Sequence, residues 1–344
     1  MNGNQVKKYM KQNVRDYAMY IALAVVMAIF TVITKGLFLS PRNISNLLNQ
    51  TGFLAVLAVG MTLVMIIRYF DMSVGYLSGC LGAIAAIAIV SWHAPWWLSI
   101  VFVCLLGLFA GFLTAAPIAS LGVPAFVTTL AGWLVYRGVL LLVTSSTGTI
   151  IIPDNTFNAI GNGFIPDVFP AGTSFLPDQH KLTLILGILA IVWYIGRSIA
   201  DRGKKRSYGF DIIPMNLFVA KSVFMAAIIG AIAWILASYN GLSWTLVITL
   251  AVVAIFHFIM NRTVLGRHIY AIGGNPEAAE LSGISVKKIT YLVFGFMGVL
   301  TAVAGVLFAS RLQSATPTSG AGAEMDAIAA CVLGAVQRFI GAFG

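Results

Sequence analysis

The sequence contains very little charge. Only 9% of its 344 residues are Asp, Glu, Lys or Arg, whereas 59% are hydrophobic. Soluble domains average roughly 25% charged residues, so this chain does not have enough charge to cover a globular surface in water. The composition therefore predicts an integral membrane protein that lies in a lipid bilayer.

Cysteines are few, and the common catalytic motifs are missing. The three cysteines, Cys80, Cys104 and Cys331, lie in or beside apolar runs without CxxC spacing. This pattern favours buried free thiols over a disulfide framework or a metal site. The sequence contains no Walker A motif, no HExxH, no GxSxG with triad partners and no kinase signature. We therefore expect neither an enzyme nor a bound cofactor, and a partner has to supply any energy for function.

The most prominent feature present is a series of long apolar windows. They lie near residues 17–34, 46–67, 73–91, 96–118, 124–144, 182–198, 222–238, 243–260 and 289–309, and a tenth begins near Asp326. Each is close to the ~20 residues that cross a bilayer, and helices satisfy their own backbone groups in lipid. We predict an all-α, polytopic transmembrane helical bundle, a single domain over 1–344 with about nine to ten spans. The window 46–91 also allows a broken or re-entrant segment around residues 68–75.

The net charge of +10 lies in loops between the apolar windows, which argues against nucleic acid as a partner. With a cytoplasmic N-terminus, inner loops hold fifteen basic residues and outer loops hold four. The inner set is Lys7, Lys8, Lys11, Arg15, Arg68, Arg197, Arg202, Lys204, Lys205, Arg206, Lys221, Arg262, Arg267, Lys287 and Lys288; the outer set is Lys35, Arg42, Lys181 and Arg311. This positive-inside bias predicts a cytoplasmic tail at 1–16, an outer loop at 145–181, and cytoplasmic loops at 199–221 and 261–288.

The polar segment 266–290 contains the nonapeptide NPEAAELSG. Asn275 is suited to the N-cap and Pro276 to the first helical position. Glu277 favours the positive end of the helix dipole, and Gly283 is the expected left-handed stop. The sequence predicts about two turns of helix, roughly 11 Å long, on the cytoplasmic side. It is either an ordinary surface helix that joins two spans or a stiff element that another protein grips.

Several motifs together resemble one family. The run GRHIYAIGGNPEAAELSGISV, an apolar window and then SRLQSATPTSGAGAEMDAIAACVLG are similar to the permease subunit of bacterial ABC-type monosaccharide importers, which carry ribose, galactose, arabinose and xylose. The similarity continues upstream through LSPRNISNLLNQTGFLAVLAVGMTLVMI, FDMSVGYLSG and VPAFVTTLAGWLVYRGVLL. It covers most of the chain, which most resembles the xylose or multiple-monosaccharide type.

The resemblance implies a type II ABC importer subunit in the bacterial inner membrane. Its implied partners are an ABC ATPase subunit that binds the ATP, a periplasmic sugar-binding protein, a second permease copy and the monosaccharide itself. In this family the GNPEAA segment resembles the coupling helix that docks into the ATPase. Carried onto this chain, that element comprises Asn275, Pro276, Glu277, Ala278, Ala279, Leu281 and Gly283. The small side chains of Ala278 and Ala279 are expected to permit a close approach.

A few polar residues beside or inside the apolar windows are candidates for the pathway or its gate. Asp71 in FDMSVG either caps a helix that starts near Ser73 or acts in gating. Arg137 either snorkels to the interface or lines a pathway. Trp133 and Tyr136 lie within one turn of Arg137, so they form part of an interfacial aromatic belt or contact a sugar.

Two other polar features beside apolar windows have plainer interpretations. Glu324 and Asp326 are interpreted as charges in the first turn of a helix rather than as sugar ligands. The flexible stretch QSATPTSGAGAE at residues 313–324 is either a simple Gly/Ser-rich loop or, from the resemblance, part of the outer entrance. Gly107 and Gly111 have GxxxG spacing, which favours close helix packing within the bundle or between two copies.

The C-terminal segment 334–344 departs from the family. Related permeases continue after CVLG with further transmembrane sequence, whereas this chain has CVLGAVQRFIGAFG, with Gln337 and Arg338 where an apolar window should continue. We expect a truncated or frame-shifted product, and a non-functional truncated permease is one alternative function. The other is an ion-coupled secondary transporter, which normally carries ionisable residues within its spans; Arg137 is the main candidate here and has no obvious acidic partner.

Overall fold

The computed structural model describes residues 21–146, 148–168, 179–209 and 214–342, with the backbone alone described from residue 334 onward. Its helices are α1 Ile21–Ile33, α2 Pro41–Ile66, α3 Val74–Val90, α4 Trp96–Leu121, α5 Ala125–Thr144, α6 Asn155–Asn162, α7 Lys181–Ser207, α8 Met215–Ala237, α9 Trp244–Arg262, α10 Val264–Gly274, α11 Pro276–Leu281, α12 Val286–Leu312 and α13 Ala323–Ala342, with two strands, β1 Ile150–Ile151 and β2 Ser314–Ala315. The predicted tail 1–16, parts of the loops 145–181 and 199–221, and the side chains of 334–344 lie outside the described residues.

Most of these helices are apolar and long. Within the described ranges, seven are long and apolar enough to cross a membrane, namely α2, α4, α5, α7, α8, α9 and α12, and α1 and α3 are shorter apolar helices. Each predicted apolar window coincides with one of these helices, and the tenth coincides with α13. The predicted all-α transmembrane bundle is therefore confirmed, while the number of spans and the side of the N-terminus stay predictions.

Sequence patterning misses two helices, α6 and α10, because neither forms a long apolar window. α6 begins after Asp154, whose carboxylate accepts the Phe157 N–H at 2.8 Å. α10 begins after Thr263, whose hydroxyl accepts the Gly266 N–H at 3.3 Å. Both are ordinary N-caps. The segments 145–181 and 261–288, predicted as loops, are thus partly helical.

The chain divides into two compact units. Unit 1 comprises the described residues of Met1–Val25, Asn49–Gly163 and Trp244–Gly344, and unit 2 comprises Val26–Leu48 and Phe164–Ser243. Unit 2 is built around α7 and α8, which pack against each other. Gly187 allows this close packing, since a Cβ there would overlap the Ala233 side chain. The N-cap of α7 is His180, whose side chain accepts the Thr183 N–H, and Asp167 accepts the Lys181 N–H at 2.8 Å.

The centre of unit 1 is α12, which packs chiefly against α4, α3 and α6. Glycines bring the backbones together: a Cβ on Gly107 or Gly111 would overlap carbonyl atoms of α12, and a Cβ on Gly305 would overlap the Ser78 carbonyl of α3. The GxxxG prediction of close packing within the bundle is confirmed. Large side chains such as Phe294 and Met297 fill the remaining space and are buried.

One end of unit 1 is held together by polar contacts. β1 and β2 form an antiparallel pair with Ile150 opposite Ala315, which ties the α5–α6 loop to the α12–α13 connection. Asn162 at the end of α6 donates to the Ser310 carbonyl at 2.8 Å and accepts from the Arg311 guanidinium at 2.5 Å. These contacts hold the α5–α6 loop and the end of α6 against the end of α12.

Candidate functional site

The short helix α11 begins at Asn275, as the sequence predicts. Asn275 has extended backbone, and its side chain accepts the Ala278 N–H at 3.1 Å. Pro276 occupies the first helical position and Glu277 lies in the first turn. These residues satisfy the free N–H groups of the first turn and place an acidic group at the positive end of the helix dipole.

The other end of α11 is closed just as firmly. Gly283 has a φ of 83°, and its N–H donates to the Glu280 carbonyl at 2.9 Å. The Ile284 N–H donates to the Ala279 carbonyl at 3.0 Å. This pair of bonds is the Schellman arrangement, for which a glycine in the left-handed region is the best residue. Both ends of α11 are thus fixed locally, without help from a partner.

The two faces of α11 differ sharply in exposure. Leu281 is 92% exposed, and Glu277, Ala278 and Glu280 are exposed beside it. Ala279 is only 4% exposed and belongs to the apolar core of unit 1. The expectation that Ala279 offers close approach to a partner is corrected here, because its methyl group attaches α11 to the rest of unit 1. Glu277, Ala278 and Leu281 stay exposed on the opposite face.

A second group of polar and aromatic side chains surrounds the first turn of α3. The Trp133 indole on α5 donates to the Glu324 carboxylate on α13 at 2.9 Å. The Tyr76 ring packs edge-on against Trp133, with ring centroids 4.8 Å apart. The Arg137 guanidinium lies 5.6 Å from the Trp133 ring centroid and 5.8 Å from that of Tyr76, within the range of a cation–π contact. We call Tyr76, Trp133, Arg137 and Glu324 the aromatic–carboxylate cluster.

Glu324 and Tyr76 are members of this cluster that sequence reasoning misses. Glu324 does lie in the first turn of α13, as predicted, but it is 4% exposed and points inward. One of its carboxylate oxygens is bonded to Trp133, and the other is buried without a hydrogen-bond partner. In the sequence, Glu324 is recognisable as a carboxylate next to an apolar run, which does not indicate what it contacts. Its contact with Trp133 cannot be inferred from neighbouring residues, because Trp133 lies 191 positions away in the sequence.

Arg137 carries a charge within α5, a helix that is long enough to cross the membrane. The structure leaves Arg137 exposed, on a helix whose exposed positions also include Leu134 and Leu141. A guanidinium inside a span faces protein or water rather than lipid tails. The exposed face of α5 around Arg137 is therefore a candidate lining for an aqueous path or for an interface.

Tyr136 and Asp71 lie apart from the cluster. Tyr136 lies near Thr114 of α4 and near Asp71. Asp71 is 3% exposed, and its carboxylate accepts the Ser73 N–H at 2.9 Å and the Ser73 hydroxyl at 2.6 Å. These bonds hold the turn before α3, whose N-cap is Ser73, so Asp71 is not the cap itself. The gating role of Asp71 stays a prediction. Only Trp133 and Arg137, of the four residues predicted for the pathway, are brought into direct contact.

Other candidate chemistry in the described ranges is limited. No group of three or more His, Cys, Asp or Glu there is arranged to hold a metal ion. The three cysteines are free; Cys80 and Cys331 are buried, as predicted, and Cys104 is half-buried. A groove of ≈ 580 Å³ in unit 1 is lined almost entirely by apolar side chains, among them Trp96, Ile248 and Leu307. Such a groove offers almost none of the hydrogen-bond partners that a sugar needs.

Comparison with known proteins then decides the family. Residues 43–343 match the family described as branched-chain amino acid transport system / permease component. The chain belongs to this permease family. Together with its apolar helices, this membership makes it a multi-pass permease of the bacterial inner membrane. Permease components of this kind are not catalytic by themselves.

Among its relatives are sugar permeases. The chain is 41% identical to the xylose transport system permease protein of Haemophilus influenzae over 325 residues, which cover 94% of this chain and 82% of the relative. The Escherichia coli K12 protein of the same name is 37% identical, with 94% and 78% covered. The ribose import permease protein of Haemophilus influenzae is 33% identical, with 92% and 75% covered. No solved structure matches the chain. The sequence-based resemblance to monosaccharide permeases is confirmed.

Proposed function

We propose that this chain is the membrane-spanning translocation subunit of an ABC importer for monosaccharides, of which xylose is the first candidate. The relatives named for xylose transport match 94% of the chain, which supports a sugar as the substrate. The observation that carries the coupling role is α11, a helix capped at both ends that presents Leu281, 92% exposed. A stiff element with an exposed large apolar side chain suits docking into a cleft of another protein.

The complete importer contains further subunits. An ABC ATPase binds and hydrolyses ATP and receives α11, a periplasmic binding protein delivers the sugar, and a second copy of this chain completes the pathway. The positive-inside bias supports a cytoplasmic N-terminus and a cytoplasmic α11. Closure of the ATPase pair would move the two α11 helices together and switch the bundle from outward-facing to inward-facing, with the helices moving largely as rigid bodies.

The aromatic–carboxylate cluster is the proposed contact for the sugar along the pathway. Aromatic rings pack against the apolar faces of a sugar, while a carboxylate and a guanidinium bond its hydroxyl groups. The exposed Arg137 and the half-buried Trp133 would contact the sugar first, and the buried Tyr76 and Glu324 lie behind them. Glu324 orients the Trp133 indole through the 2.9 Å hydrogen bond.

The docking role is tested by placing a charge on α11. Leu281→Arg puts a guanidinium where we expect an apolar contact, so co-purification of the ATPase subunit should be lost. Leu121→Arg is the matched control, because Leu121 is 77% exposed at the end of α4 and receives the same substitution. Leu121→Arg should keep the ATPase, so retained co-purification with Leu281→Arg as well would count decisively against docking through α11.

The substrate is tested by uptake. A strain that lacks its own pentose and hexose permeases, supplied with this chain, its ATPase and its binding protein, should accumulate labelled xylose when compared with labelled ribose, galactose and arabinose. Uptake of one of the other three sugars alone would move the substrate assignment to that sugar. Uptake of none, with the ATPase bound, would contradict monosaccharide import.

A further inference from the structure

A direct contact joins the end of α10, which leads into α11, to the connection between α2 and α3. The Arg68 Nε donates to the Gly273 carbonyl at 2.8 Å, and a terminal guanidinium nitrogen donates to the Gly274 carbonyl. Only Asn275 separates these carbonyls from α11. A guanidinium that bridges two carbonyls fixes orientation as well as distance, and its charge lies at the negative end of the α10 dipole.

The backbones at this point are in contact as well. A Cβ on Gly273 would overlap the Ile66 carbonyl at the end of α2, so only glycine permits this approach. Arg68 itself has a φ of 68°, in the left-handed region that non-glycine residues rarely adopt. Such a conformation persists only where the surrounding contacts hold it, and it is often found in elements that move or bind. The end of α10 and the end of α2 are thus joined both through the Arg68 side chain and through their backbones.

The other side of the contact leads to the aromatic–carboxylate cluster. Three residues after Arg68, the Asp71 carboxylate holds the N–H and hydroxyl of Ser73, and α3 begins at Val74. In the first turn of α3, a Cβ on Gly75 would overlap Glu324, and Tyr76 packs against Trp133. A displacement of α11 therefore has a short route along the chain to the residues proposed to contact the sugar.

We propose that Arg68 is a positioning residue that couples α11 to the start of α3, so that movement of the docked helix displaces the aromatic–carboxylate cluster. The inference rests on the proposed docking function of α11. Arg68 is exposed at the link and makes its bonds to backbone atoms. Its loss therefore removes the side-chain part of the connection without removing a residue of α11 or of the cluster.

The experiment uses the complete importer, with its ATPase and binding protein, in proteoliposomes. ATP hydrolysis and uptake of labelled xylose are measured together for Arg68→Gln, Arg68→Lys and the control Arg267→Gln, which removes an exposed arginine of α10. For Arg68→Gln we expect normal binding of the ATPase, continued hydrolysis and a loss of about fivefold or more in sugar moved per ATP. For Arg68→Lys we expect a ratio of sugar to ATP between those of the unsubstituted importer and Arg68→Gln. An ammonium group is a point charge that does not bridge two carbonyls in a fixed orientation.

The outcomes distinguish a wrong role for Arg68 from a wrong docking function for α11. If the unsubstituted importer binds no ATPase, the proposed function fails. If it is coupled and Arg68→Gln moves as much sugar per ATP as Arg267→Gln, the link alone is wrong. Should Arg68→Gln fail to assemble, Gly273→Ala provides the second test, because the added methyl forces α10 away from Ile66. An unchanged ratio of sugar to ATP in that variant also overturns the proposal.

Discussion

At the scale of single residues, one tightly constrained point is where Gly75 meets Glu324. The buried carboxylate lies against the α3 backbone so closely that a Cβ on Gly75 would overlap both Glu324 and the Gly320 carbonyl. One carboxylate oxygen has no hydrogen-bond partner, and such an oxygen is costly to bury. Side-chain atoms of α3, α5 and α13 therefore depend on one another here, and a single methyl group should disturb all three.

Gly75→Ala tests this dependence. We expect it to lower the stability of the purified protein by about 1–3 kcal/mol, because either the backbone or Glu324 has to move. The measurement is thermal unfolding in detergent. Gly138→Ala is the matched control, since a Cβ there meets nothing within 4 Å, and it should leave stability unchanged or raise it by roughly 0.5–1 kcal/mol. Equal melting temperatures for the two variants would show that the contact is not tight.

At the scale of elements, α11 shows what local sequence determines. Asn275, Pro276 and Gly283 act on neighbours in the chain, so their roles follow from the sequence and are confirmed by the hydrogen bonds. The burial of Ala279 does not follow, because it depends on the core that α10 and α12 build around it. Equally, no neighbouring residue indicates that Trp133 bonds Glu324, since the two lie on different helices.

Removing the cap of α11 should weaken the helix without changing its exposed face. Asn275→Ala loses the side-chain acceptor for the Ala278 N–H, which costs about 1 kcal/mol of local stability, while Asn275→Asp keeps an acceptor. Hydrogen exchange of the amides of residues 277–281 should accelerate in the alanine variant only. If docking needs a preformed helix, the same variant also binds the ATPase more weakly; faster exchange with unchanged ATPase affinity would contradict that requirement.

At the scale of the whole molecule, the exposed residues of α5 can be used to test which face of unit 1 contacts water. Arg137 and Val135 are both exposed on it, but they point roughly 200° apart around the helix axis. Arg137 faces the aqueous path in our proposal. Val135, which is 59% exposed and apolar, suits contact with lipid or with protein.

Cysteine substitution distinguishes these two faces. In the assembled importer, Arg137→Cys should react with a membrane-impermeant thiol reagent, because the reacting thiolate needs water, and bound sugar should slow the reaction. Val135→Cys is the control and should react at the background rate set by the native cysteines. If the two positions react equally, or if sugar has no effect at Arg137→Cys, the pathway role of this face is wrong.

Where glycines bring α12 against α3 and α4, no layer of flexible side chains separates the backbones. A slip of α12 by a single residue, about 1.5 Å along its axis, would drive side chains into the carbonyls that Gly298 and Gly305 now clear. Shear between these three helices is therefore blocked, and they have to turn together as one block. Any movement within unit 1 therefore has to occur at contacts other than those between these three helices.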